Sequence, residues 1–75
     1  LAPPDDALLA AVLAKLFADR QIAPAPDCVP YLARRIERTF EAARATVAAI
    51  DAQALAEGRK VTRALAAKVL DKRGT

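Results

Sequence analysis

The residues of this sequence best equipped for chemistry are its arginines. Arg34, Arg35 and Arg38 lie close together, Arg59, Lys60 and Arg63 form a second group, and Arg44 stands between the two. A guanidinium is permanently charged and offers a planar donor fork that fits phosphate and carboxylate oxygens. The chemistry to expect is therefore anion binding rather than bond making. Other reactive types are scarce: the chain has no His, and Cys28 is its single cysteine. An internal disulfide, a conventional zinc site and His-based hydrolysis are thereby excluded.

The acidic residues Asp5, Asp6, Glu37, Glu41, Asp51 and Glu57 read as helix caps and helix-surface pairs. Nothing in their spacing brings two of them into one pocket as an acid/base dyad. The only glycines are Gly58 and Gly74, and "EGRKVT" does not fit a phosphate-binding loop. The chain by itself is expected to be non-catalytic, to hold no metal and to bind nucleotide weakly or not at all.

These groups must be positioned by a small scaffold. A chain of 75 residues buries only roughly 60% of the surface its unfolded form exposes. Its apolar share is 55%, with alanine by far the commonest type, two Phe, one Tyr and no Trp. That composition favours thin helix-on-helix packing over sheet. The net charge of +3 is mild, compatible with nucleic acid or phosphate partners without requiring them. No apolar run approaches the roughly 20 residues of a membrane span, and no charged-then-apolar leader opens the chain. A cytoplasmic setting is the expectation. A start at Leu-Ala-Pro-Pro, without an initiator Met, reads as a piece of a longer protein.

Periodicity and capping residues predict four helices. Leu1 to Pro4 should be extended, with Asp5 or Asp6 as N-cap of a helix over about 6–20, on which the apolar Leu8, Leu9, Val12, Leu13, Leu16 and Phe17 fall at helical spacing. Pro24 and Pro26 then break the chain. Asp27 is the expected cap of a second helix, about 28–37, with Val29, Leu32, Ala33 and Ile36 on one face and Arg34, Arg35 and Arg38 on the other. Thr39 should cap a third helix, about 40–57, whose stripe is Phe40, Ala43, Val47, Ile50 and Ala54, with Gly58 as its left-handed stop. Thr62 caps a fourth, about 63–72, with Leu65, Val69 and Leu70 inward and its end before Gly74. The fold class is all-α, a compact four-helix module.

On that scaffold Arg44 falls at the edge of the apolar stripe. It can pair with Glu41 or cover the core with its methylene stem, or it can face a phosphate. The groups Arg34, Arg35, Arg38 and Arg59, Lys60, Arg63 could serve as phosphate or partner contacts, as in a small basic DNA-binding module. The outer face of the third helix is mostly alanine, however, and lacks the Arg, Asn and Gln that read base edges. Direct DNA reading is therefore not the leading expectation; a helical adaptor or dimerisation piece is a further alternative.

"PPDDALLAAVLAKLFADRQI" followed by "LARRIERTFEAARATVAAIDAQALAEGRKVT" resembles the helical lid subdomain of the bacterial replication initiator family DnaA, and more nearly its shorter Hda-type regulators. The resemblance runs from Pro3 to about Lys72. Its most specific parts are Pro3-Pro4-Asp5, Lys15-Leu16-Phe17-Ala18, and Gly58-Arg59 with Val61-Thr62. It implies an AAA+ protein in which a Rossmann-like subdomain with Walker motifs precedes the lid and ATP or ADP, with Mg, sits between the two. It further implies that the partners of the whole protein are that nucleotide-binding subdomain, DnaA and the sliding clamp, in bacterial cytoplasm, in the control of replication initiation.

In such lids an arginine of the third helix senses the nucleotide phosphates. Ungapped alignment from "ARRI" forward or from Gly58-Arg59 backward puts that sensor-two position on Glu41, an acid. The resemblance then leaves three alternatives: the role has moved one turn to Arg44, has moved back to Arg38, or is lost. A carboxylate beside phosphates is repulsive, increasingly so as water is excluded, and this fits a regulator better than an initiator.

Overall fold

The computed structural model describes residues 4–74. Four helices follow one another, α1 Asp6–Asp19, α2 Cys28–Arg35, α3 Phe40–Glu57 and α4 Arg63–Gly74, and no strand occurs among the described residues. The expected extended stretch at Leu1 to Pro3, with Pro3 of the Pro-Pro-Asp motif, lies outside them. α1 packs on α2 and α3, and α4 packs on the same two, so the helices close a ring in the order α1, α2, α4, α3. The radius of gyration is 11.4 Å, close to the roughly 11 Å of a well-packed domain of this length.

Local chemistry accounts for most helix ends. Asp5, in extended conformation, accepts the Leu8 N–H at 2.8 Å. Thr39 Oγ1 accepts the Ala42 N–H at 3.0 Å, and Thr62 Oγ1 accepts the Leu65 N–H at 3.2 Å. Each satisfies a donor that the first helical turn leaves unpaired. Gly58, at φ 62° and ψ 35°, closes α3, with the Arg59 N–H returning to the Ala54 carbonyl and the Gly58 N–H to Leu55. α1 ends with the same hydrogen-bond pattern but no glycine. Ile22 N–H bonds the Phe17 carbonyl and Gln21 N–H bonds Ala18, with Gln21 itself at φ 60°. Ile22 then folds back onto the core, the apolar contact that accompanies this motif.

Four expectations are corrected. Asp27 does not cap α2: its backbone is already helical (φ −89°, ψ −5°) and its side chain makes no capping bond, whereas a cap needs an extended residue. α2 stops at Arg35 and not near 37, because Ile36 turns extended (φ −82°, ψ 162°). A β-branched residue adopts that conformation readily, and Ile36 stays packed against the core while the chain turns toward α3. Phe40 is 46% exposed, since it opens α3 at the margin of the bundle and the buried stripe begins only at Ala43. α4 runs through Gly74, as a glycine permits a left-handed stop without imposing one.

The core lies inside the ring of helices. Leu9, Leu13 and Phe17 of α1 meet Leu32, Val47, Ile50, Leu65 and Val69, all buried, with Ala33, Ala43 and Ala66 allowing close approach. Each large aliphatic buried here contributes about 1.5–3 kcal/mol relative to exposure. Of the other apolar residues at helical spacing on α1, Leu8 is exposed, while Val12 and Leu16 are half-buried against the cluster. The two long connections are joined as well. Ala25 N–H bonds the Val61 carbonyl at 3.0 Å, and the Cys28 Sγ lies 3.9 Å from the Thr62 carbonyl oxygen.

Candidate functional site

The capped start of α3 sets the first candidate site. Thr39 fixes where the helix begins, so Glu41 and Arg44 project one turn apart along its exposed edge. Glu37, Thr39, Phe40, Glu41, Ala42, Arg44 and Ala45 line one open cleft there. Arg44 makes no ion pair among the described residues, so of its three alternatives the pairing with Glu41 does not form. The lining carries two carboxylates against one guanidinium. Alone it repels a polyphosphate; it can offer one cation to a site whose remaining charge comes from elsewhere.

Arg38, the other candidate for the sensor role, is engaged with Asp6 across the α1–α2 side of the bundle. Its charge is thereby compensated, and the bond ties the start of α1 to the turn before α3. Both groups are well exposed, so the pair is worth at most about 1 kcal/mol.

The basic group at the α3–α4 turn is divided by the fold. Glu57, in the last turn of α3, accepts from Lys68 Nζ at 2.6 Å, from Gln53 Nε2 and from Arg59 Nη1 at 3.3 Å. The Lys68 hydrogen bond first, then that of Gln53, lowers its pKa from 4.5 to about 2. Arg59 thus shares this one carboxylate with Lys68. Lys60 carries no ion pair among the described residues and edges an apolar hollow with Ile22, Ala54, Leu55 and Val61.

Arg63 faces the other way. Its Cζ lies 5.5 Å from the Tyr31 ring centroid, and the Arg35 Cζ lies 5.0 Å from the same centroid. Arg34, Asp27 and Pro30 complete this second cleft. The sequence separates Arg34 and Arg35 from Arg63 by the whole of α3, and no periodicity relates them. Tyr31 was not singled out from the sequence at all. A Tyr one turn before a pair of arginines on an exposed helix face is the signal that would have pointed to it, since cations settle over aromatic rings.

Cys28 is buried. Burial, and then the negative charge of Asp27, pushes its thiol pKa up to about 11, so the neutral thiol prevails near neutral pH. It serves as a small core side chain. Among the described residues no group of His, Cys, Asp and Glu side chains is arranged to hold a metal ion, no buried side-chain nitrogen or oxygen lacks a hydrogen-bond partner, and no helix is long and apolar enough to cross a membrane. Comparison with protein-family models, with curated proteins and with solved structures gives no match for this chain.

Proposed function

We propose that this chain is the lid subdomain of a DnaA-related, Hda-like AAA+ protein, and that it couples the nucleotide state of its parent to protein contacts in the control of chromosomal replication initiation. The observation that supports this reading is the open edge at the start of α3. The resemblance puts a phosphate-sensing residue at Glu41, and there Glu41, the unpaired Arg44 and the half-exposed Phe40 stand together on a rigid, capped helix.

The lid would work by position. A bundle held by its apolar ring moves as one body, so a small rotation against the nucleotide-binding subdomain of the same chain carries Arg44 toward or away from the phosphates. Arg44 is the better candidate for that contact, because Arg38 is held by Asp6. Glu41 beside it weakens attraction for the more negative ATP relative to ADP. ATP or ADP with Mg, DnaA and the sliding clamp belong to the parent protein in the bacterial cytoplasm, and the chain itself catalyses nothing.

Two measurements test the reading. The coding sequence upstream of Leu1 is expected to specify an α/β domain with Walker motifs, and any other upstream sequence overturns the assignment. In the protein carrying that domain, Arg44→Ala should weaken nucleotide binding about tenfold, the loss of one charge-assisted contact, while Arg38→Ala should leave it nearly unchanged. The chain of 75 residues by itself should show no micromolar ATP binding.

A further inference from the structure

Five of the described cations already face a carboxylate: Lys15, Arg20, Arg38, Arg59 and Lys68. Arg34, Arg35 and Arg63 are among those that do not. They make no ion pair among the described residues, and the fold collects all three around Tyr31 in the cleft between α2 and the first residue of α4. Asp27 is the carboxylate lining that cleft, so its walls carry a net charge of about +2 by formal count.

The side chains there are arranged for a planar anion. Tyr31 is half-buried against the core, which steadies its ring, and the guanidiniums of Arg35 and Arg63 rest against it at 5.0 and 5.5 Å. A guanidinium held over a ring has its plane oriented while its edge N–H groups stay free to donate. Arg63 is also placed against its own helix. It is the first residue of α4, whose first turn contains no acid, and the positive end of a helix dipole disfavours a cation. Arg34 and Arg35, by contrast, occupy the last turn of α2, where a cation is favoured. An anion in the cleft would relieve the one misplaced charge and engage the other two.

We propose that this cleft is a docking point for an acidic segment of a partner protein, whose carboxylates engage the donor forks of Arg34, Arg35 and Arg63 around Tyr31. Three observations favour a protein over a nucleic acid. A phosphate backbone is a repeating line of charge that is met by a track of cations, whereas here Arg38 and Arg59 face carboxylates, the unpaired Arg44 and Lys60 line other openings, and Arg34, Arg35 and Arg63 stand together in one cleft. All its cations are arginine, none lysine, and they surround a tyrosine; that is the composition of the energetic centres of protein interfaces. The cleft volume, about 450 Å³, admits a short run of side chains. The inference stands on the α2–α4 cleft alone and holds whether or not the chain is a lid.

Tyr31 is the only tyrosine and there is no tryptophan, so intrinsic fluorescence reports on this cleft directly. The chain is titrated with an oligoglutamate peptide, an oligoglutamine peptide of equal length and an oligodeoxythymidylate strand at one ionic strength. The expected result is a saturable change with oligoglutamate alone, weakening as salt is added. Arg35→Gln and Arg63→Gln should each reduce the affinity about tenfold with helicity retained, since both side chains are exposed. Asp27→Asn should raise it, and Lys15→Gln, which removes the same charge elsewhere, should leave it unchanged. An absent or unsaturable response to oligoglutamate, equal affinity in Arg63→Gln and Lys15→Gln, or tighter binding of oligodeoxythymidylate than of oligoglutamate overturns the proposal.

Discussion

Arg20 and Asp51 meet at 2.8 Å although thirty-one positions separate them, and their bond clamps the end of α1 to the middle of α3. Asp51 is the more shielded partner, with 22% of its side chain exposed against 44% for Arg20. A pair in that setting contributes about 0.5–1 kcal/mol. Arg20→Ala should therefore lower the melting temperature by roughly 2–8 °C in a domain of this size, and added salt should narrow the gap between variant and parent.

The two helix stops at φ near 60° respond to substitution in opposite directions. Gly58→Ala meets no atom within 4 Å, so its cost is purely conformational, about 1 kcal/mol for an L-residue held left-handed. Gln21 already bears that cost at φ 60°. Gln21→Gly should stabilise the fold by about 0.5 kcal/mol after the extra entropy of the unfolded glycine is subtracted. Urea melts of the two variants against the parent would show the midpoint falling for one and rising for the other.

Glu57 links stability to acidity. Its folded pKa, about 2, lies below its ordinary 4.5, so the ionised form is the one the fold favours. The stabilisation it gives is fully present above about 4.5 and is lost as pH falls from there toward about 2. Glu57→Gln should start from a lower melting temperature near neutral pH and lose less than the parent across that window. Parallel acid slopes in the two proteins would contradict the assignment.

The buried Cys28 thiol, raised to about 11, should resist alkylation while the bundle is folded. At about pH 8 its reaction with a thiol reagent should be at least tenfold slower than that of a free cysteine, and denaturant should restore the ordinary rate. Fast labelling of the native chain would show that the α1–α2 connection opens on its own.

Much of the fold was legible because its signals are local. Thr39 and Thr62 cap the helices that follow them through bonds to N–H groups three residues on, and Gly58 stops α3 through a conformation that glycine accepts without strain. The misses arise where tertiary demands act on a single residue. Asp27 looks like a cap, but the turn at Pro26 has already committed its backbone to helical angles. Phe40 fits the apolar stripe by spacing, yet no helix covers that end of the bundle. Gln21 ends α1 without any glycine, because Ile22 is drawn back to the core and carries Gln21 into the left-handed region.

The sites divide in the same way. From the sequence come the helices, their caps, the inward faces of α1 and α3 and the placing of Glu41 and Arg44 one turn apart on a helix edge, since all of these follow from neighbours within about one turn. Only the tertiary structure decides which arginines are free. Arg38 and Arg20 face Asp6 and Asp51, and Lys68 of α4 reaches Glu57 of α3, while Arg34, Arg35 and Arg63 converge on Tyr31. Ion pairs and clefts depend on distances between helices, and those distances are set when the ring closes around Leu9, Leu13, Phe17, Leu32 and Ile50.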